Sequence, residues 1–196
     1  QILRLKNLKD KESLISIVRN SRLDIKYRLT AFMYLKMEGY DDSEYEEILK
    51  NDFLINLKTN SLDIKNNFDL SAMGAGVMLV LSVYLRGKGY INATREKEIY
   101  ERISESVFLA KSQWNNTEAN AGMFFTTPNP LTIAHEIGHR VLMFYADITK
   151  GVSYSTAHEI FADIIAYVFA EKAGIEGKAV FDALYELYNP KMNYDY

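Results

Sequence analysis

The chain has three histidines, His135, His139 and His158, and two of them stand in the stretch His135-Glu136-Ile137-Gly138-His139. On a helix, residues four apart lie one turn apart on one face. Two imidazoles so placed can hold one divalent metal ion, with Glu136 beside the remaining coordination position. Twenty residues after His139 comes Glu159, and then Asp163 at helical spacing. Glu159 completes a two-histidine, one-carboxylate ligand set. Asp163 is the kind of group to which a metal-binding histidine donates its second ring N–H. The chemistry this pattern serves is amide hydrolysis, with a water activated by Zn2+ and Glu136 taking its proton. The same ligand set suits iron, but the helical spacing and the adjacent Glu136 favour zinc.

Each of these residues has a structural alternative. A bare HExxH also arises by chance, leaving two histidines on a helix surface. Thr156 and Glu159 form a capping box, in which the glutamate would bond the Thr156 backbone N–H. Gly138 weighs toward a site. Glycine inside a helix costs about 1 kcal/mol relative to alanine, so a close-packing demand is expected there. His158 should point about 100° away from Glu159 around a helix and reads as structural or as a group supporting a ligand from behind.

The elements that must position these groups are helical. Asn129-Pro130 is a helix start, a capping side chain followed by proline at the first helical position, and predicts a helix over 130–146. Thr156 opens a second helix with Ile160, Phe161, Ile164, Ile165, Val168 and Phe169 toward its core, ending near Gly174; a third is expected over 178–187. Residues 123–127, Met-Phe-Phe-Thr-Thr, have strand composition. Upstream, Leu14, Ile15, Ile17 and Val18 and then Leu23 to Leu35 form apolar stripes, Gly39 interrupts, and Tyr45, Ile48 and Leu49 resume. The polar residues 53–69 predict a boundary. Ser71 reads as the cap of a buried helix stopped at Gly87, and residues 97–112 as a further amphipathic helix. No internal repeat is evident.

Composition narrows the classes. A chain of 196 residues with 48% hydrophobic and 25% charged residues suits a globular protein. The net charge of −3 leaves no basic footprint for nucleic acid. The absence of cysteine excludes thiolate metal sites, disulfides and cysteine nucleophiles. The apolar run at 70–85 is broken by Ser71, Gly74, Gly76 and Ser82, so no integral membrane span is expected. The chain begins at Gln1 without a charged-then-apolar leader. It reads as a soluble trimmed or mature form, compatible with secretion or the cell envelope.

HExxH followed by ExxxD on the next helix resembles the gluzincin metallopeptidases, the thermolysin-like clan. The likeness covers about residues 115–175 and includes the spacing between His139 and Glu159. It implies a zinc-dependent endopeptidase acting on a peptide or protein substrate. Zinc would be held by His135, His139 and Glu159, with Glu136 as general base and Asp163 bonded to His135. It also implies that Met123, Phe124 and Phe125 belong to an edge strand pairing with substrate. Members of the clan bind the oxyanion with a tyrosine or histidine outside the motif. Here Tyr145, Tyr154, Tyr188, Tyr194 and Tyr196 are candidates, Tyr154 first. The expected fold is α+β and helix-dominated: a zincin-like catalytic domain over 69–196, with a small sheet before the HExxH helix, and a helical annex over 1–68. Two other classes stay open. One is an inert metallopeptidase-like binding or regulatory domain. The other is a helical interaction module with an accidental HExxH.

Overall fold

A computed structural model describes residues 10–40, 43–108, 124–125, 129–143 and 154–180. The chain divides into two compact units, Gln1–Thr126 and Thr127–Tyr196. The first holds helices α1 (Lys11–Arg19), α2 (Ile25–Met37), α3 (Ser43–Lys58), α4 (Asn67–Gly87) and α5 (Ala93–Ser104). The second holds α6 (Pro130–Met143) and α7 (Tyr154–Ala173), with another helical turn begun at 177–180. Residue 68, where a boundary is expected, lies inside α4, which packs on α2. Residues 53–58, expected in the boundary, complete α3, because Phe53 is fully buried there.

The expectation of an α+β fold with a small sheet is overturned. The described residues are helix-dominated. The one extended pairing among them is a two-residue parallel contact, Val107–Phe108 (β1) with Phe124–Phe125 (β2). Two residues per strand bury no face and make no sheet on which a catalytic domain could be built. Val107 and Phe108, expected on a helix, lie past its end at Ser104.

Local chemistry sets the helix ends. Asp10, Asp24, Asn66 and Asn92 each accept a backbone N–H of the first turn they precede. Asn66, not Ser71, therefore caps α4; the Ser71 hydroxyl bonds the Asn67 carbonyl from inside the helix. Helix α4 ends at Gly87, as expected, and the turn that follows reverses the chain at Gly89. Gly89 takes a left-handed φ of +72°, and the Tyr90 N–H returns to the Leu85 carbonyl. Helix α4 is long and apolar enough to cross a membrane, but most of it is buried inside the first unit. It reads as a core helix. Its glycines admit neighbours: the Phe53 ring of α3 lies against Gly76, and Ile103 of α5 against Gly74.

The first unit also contains a repeat that hydrophobic patterning alone misses. Tyr34-Leu35-Lys36, Gly39-Tyr40 and Glu46 recur fifty residues later as Tyr84-Leu85-Arg86, Gly89-Tyr90 and Glu96. In both copies a helix ends in the same left-handed glycine turn, Gly39 at +77° and Gly89 at +72°. The four charges meet in one cluster. Lys36 Nζ lies 2.5 Å from Glu46 and 3.7 Å from Glu96. Arg86 reaches Glu46 at 3.0 Å and Glu96 at 3.2 Å. Each cation thus contacts the glutamates of both copies. Lys36, Glu46 and Glu96 are buried, and the two cations hold the Glu46 carboxyl below its ordinary range against the opposing effect of burial.

Removing one partner of such a cluster leaves buried charge uncompensated. Lys36→Met is expected to destabilise the protein by roughly 3 kcal/mol in urea denaturation. Lys97→Met, which breaks the exposed Lys97–Glu101 pair, should cost about 1 kcal/mol or less. Equal effects of the two substitutions would remove the cluster from the core of the fold.

Candidate metal centre

Helix α6 begins as its sequence requires. The Asn129 side chain accepts the Leu131 N–H at 2.9 Å, and Pro130 fills the first helical position. Leu131, Ile133, Ala134, Ile137 and Val141 are buried, and His135 is buried among them. Helix α7 turns Ala162, Ile165, Ala166, Phe169 and Ala170 inward. Ile160 and Ile164, expected in its core, are exposed instead. The alanines take the buried face because they let two backbones come close. Closest approach falls at Gly138, where a Cβ would stand 2.7 Å from the Ala162 Cα and 3.1 Å from the Ile165 Cβ. No side chain fits, so the close-packing demand on Gly138 is met by α7.

That approach brings the acidic residues of α7 onto the histidines of α6. His135 Nδ1 lies 3.0 Å from Asp163 Oδ1. The carboxylate accepts, so His135 holds its proton on Nδ1 and carries a lone pair on Nε2. His135 Nε2 is 2.9 Å from His139 Nε2 and 3.3 Å from Glu159 Oε2; His139 Nε2 is 3.6 Å from Glu159 Oε1. Two imidazole nitrogens and the two oxygens of one carboxylate are therefore brought together. Tetrahedral zinc, with bonds of about 2.0–2.2 Å, sets its donors about 3.3–3.6 Å apart. The observed spacings bracket that geometry, and two imidazoles with one carboxylate are donors zinc accepts. Glu136 also lies beside the histidines, within 4.8 Å counted between ligand atoms. The back of the centre is closed by buried His135. The front is open, since the Glu159 side chain is 45% exposed.

The competing role for Glu159 loses its basis. Helix α7 is already under way at Tyr154, so Thr156 lies inside it and is not its cap. His158 is buried and does not simply point away: its ring stacks on His139, centroids 5.8 Å apart and planes 21° apart. A supporting role for His158 is one of its two readings from the sequence; the partner, the His139 ring, is set by tertiary contact. Tyr154 opens α7 rather than lying in a loop, and its side chain, like those of Phe124 and Phe125, lies outside the described residues. So do Met123, Tyr145, Tyr188, Tyr194 and Tyr196, and the continuation of the helices expected to 146 and 187.

Electrostatics separates the groups. Burial, and then the neighbouring His135, lower His139 to about 4. It is neutral at pH 7, with a lone pair free to ligate. Burial, and then Glu159, raise Glu136 to about 8. A carboxyl shifted this far beside two histidines marks a candidate functional group. No family model, no curated protein and no solved structure matches the chain.

Two outcomes follow. Gly138→Ala must push α7 away from α6, and it is expected to weaken metal binding at least tenfold, read by chelator competition; unchanged affinity would show that close approach does not set the site. The second concerns pH. A raised carboxyl pKa gives stability that is lost as pH rises from 4.5 to 8, because the folded state keeps the proton longer. The lowered His139 acts oppositely, adding stability between about 4 and 6.5. Between 6.5 and 8 only Glu136 acts. Metal-free protein should lose stability across that window, and Glu136→Gln should not; parallel profiles would place the titration elsewhere.

Proposed function

We propose that His135, His139 and Glu159 hold a zinc ion and that the centre hydrolyses peptide bonds with Glu136 as general base. The reading rests on one observation above the others. Three donor side chains from two helices, His135, His139 and Glu159, come together at zinc-like spacing, and the Asp163 carboxylate bonds Nδ1 of the buried ligand. When bound, zinc supplies Lewis acidity toward a water and a scissile carbonyl.

The remaining work belongs to the chain. Asp163 holds His135 with its Nε2 lone pair turned to the centre. The exposed side of Glu159 leaves an approach for an extended peptide. Glu136 accepts a proton from the attacking water and returns it to the departing amine nitrogen, so the peptide C–N bond breaks with no net change at the carboxylate. A positive ion beside Glu136 favours its ionised form and brings it below its metal-free value near 8. The arrangement is similar to that of the gluzincins in ligand types, order and helical placement.

The test is cleavage of a diverse peptide mixture read by mass spectrometry, with zinc-loaded wild type beside Glu136→Gln. Both proteins are expected to bind one zinc per chain, and only wild type is expected to cut, the variant being slower by at least a hundredfold. Equal cutting would remove Glu136 as base. One bound zinc with no cutting by either protein would favour an inert metal-binding domain, and absence of bound zinc would leave a helical module with an accidental motif.

A further inference from the structure

The two histidine ligands are supported differently. His135 has a carboxylate behind it: its Nδ1 lies against Asp163. His139 instead stands between two rings. It meets His135 edge to face, centroids 4.6 Å apart with planes at 84°, and lies nearly parallel to His158, 5.8 Å away with planes at 21°. His158 precedes Glu159 on α7, so the residue that packs on one ligand is covalently joined to another. It is 6% exposed, too buried to meet a substrate. His139 keeps 23% of its side-chain surface exposed and so is open on one side.

We propose that His158 is a positioning residue for the metal centre: its ring, stacked on His139, sets the plane in which His139 presents Nε2. This rests on the metal reading above. The physical reason is rotational freedom. An imidazole held only at Cβ turns about two side-chain bonds, and each turn moves Nε2 off the point shared with His135 and Glu159. A parallel ring at this separation lies in the favourable range for offset aromatic contact and blocks rotation toward α7. Because the restraint is a face and not a hydrogen bond, an aromatic ring of similar breadth should replace it, whereas a small side chain should not. Groups that orient a ligand from behind typically change metal affinity ten- to a hundredfold when removed.

The experiment compares wild type, His158→Ala and His158→Phe in the full chain. Zinc affinity is read by competition with a chromogenic chelator, and geometry by the visible spectrum of the cobalt(II) forms. His158→Ala is expected to bind zinc about 10–100-fold more weakly and to show an altered cobalt spectrum. His158→Phe is expected to restore affinity to within a few-fold and to give back the wild-type spectrum. Wild-type affinity and spectrum in His158→Ala would overturn the proposal while leaving the metal centre intact. So would a Phe variant as weak as the Ala variant, which would assign the effect to imidazole chemistry and not to stacking. If His158→Ala does not fold, the Phe variant decides alone, retained affinity supporting the role and lost affinity overturning it. Failure of wild type to bind zinc would overturn the metal reading itself, and this inference with it.

Discussion

The candidate centre depends on how closely α6 approaches α7, and that distance is set where Gly138 faces Ala162. Carboxylates on one helix reach imidazoles on another only when their backbones are close enough for short side chains to span the gap. A methyl group at residue 138 would occupy the space now taken by the Ala162 backbone. The alanines of α7 serve the same end, keeping its buried face shallow along the contact. Apolar burial can bring two helices together in many registers. The small-residue contact selects the one in which Glu159 and Asp163 lie opposite His135 and His139.

The first unit solves a different problem with a different device. Its two copies of a helix, glycine turn and helix share a cluster of two cations and two glutamates. Both cations reach both acids. Burying charge is costly unless every charge is answered, and reciprocal contact answers all four. An apolar core of the same volume could be stable in several packings. A charge cluster penalises any packing that separates its members, and so ties the copies to one arrangement. Phe53 on Gly76 and Ile103 on Gly74 then fill the space around it.

What the sequence disclosed follows from the range of each signal. The histidine pair, the Asn129-Pro130 start, the buried character of residues 70–85 and the demand on Gly138 are local, carried by a turn or two of chain. Strand composition over Met123-Phe-Phe predicts a sheet, but among the described residues the pairing stops at two residues per strand, too few to build one. The polarity of residues 53–69 hides Phe53, whose burial depends on a glycine in another helix. Ile160 and Ile164 were assigned to the core by hydrophobicity, whereas close packing favours alanine. The repeat escaped notice because its constant residues are a turn glycine, two tyrosines and ion-pairing charges, not the apolar stripe by which repeats are sought. The stacking of His158 depends on tertiary contact and leaves no periodic trace.

The protonation states give the last constraint on the centre. Burial lowers His139 to about 4 and raises Glu136 to about 8, each with help from a neighbour. In the absence of metal, the same surroundings thus favour a neutral imidazole, suited to ligation, and a neutral carboxyl, unsuited to act as a base. A cation between His135, His139 and Glu159 resolves the conflict. Bound there, it would take up the imidazole lone pair and favour the ionised carboxylate that burial disfavours. Of the three side chains that would hold the ion, His135 is buried and Glu159 is 45% exposed. Metal-free, the raised Glu136 carboxyl costs stability as pH rises toward 8; on the proposed reading, a bound ion would offset that cost by favouring the charged form that a base requires.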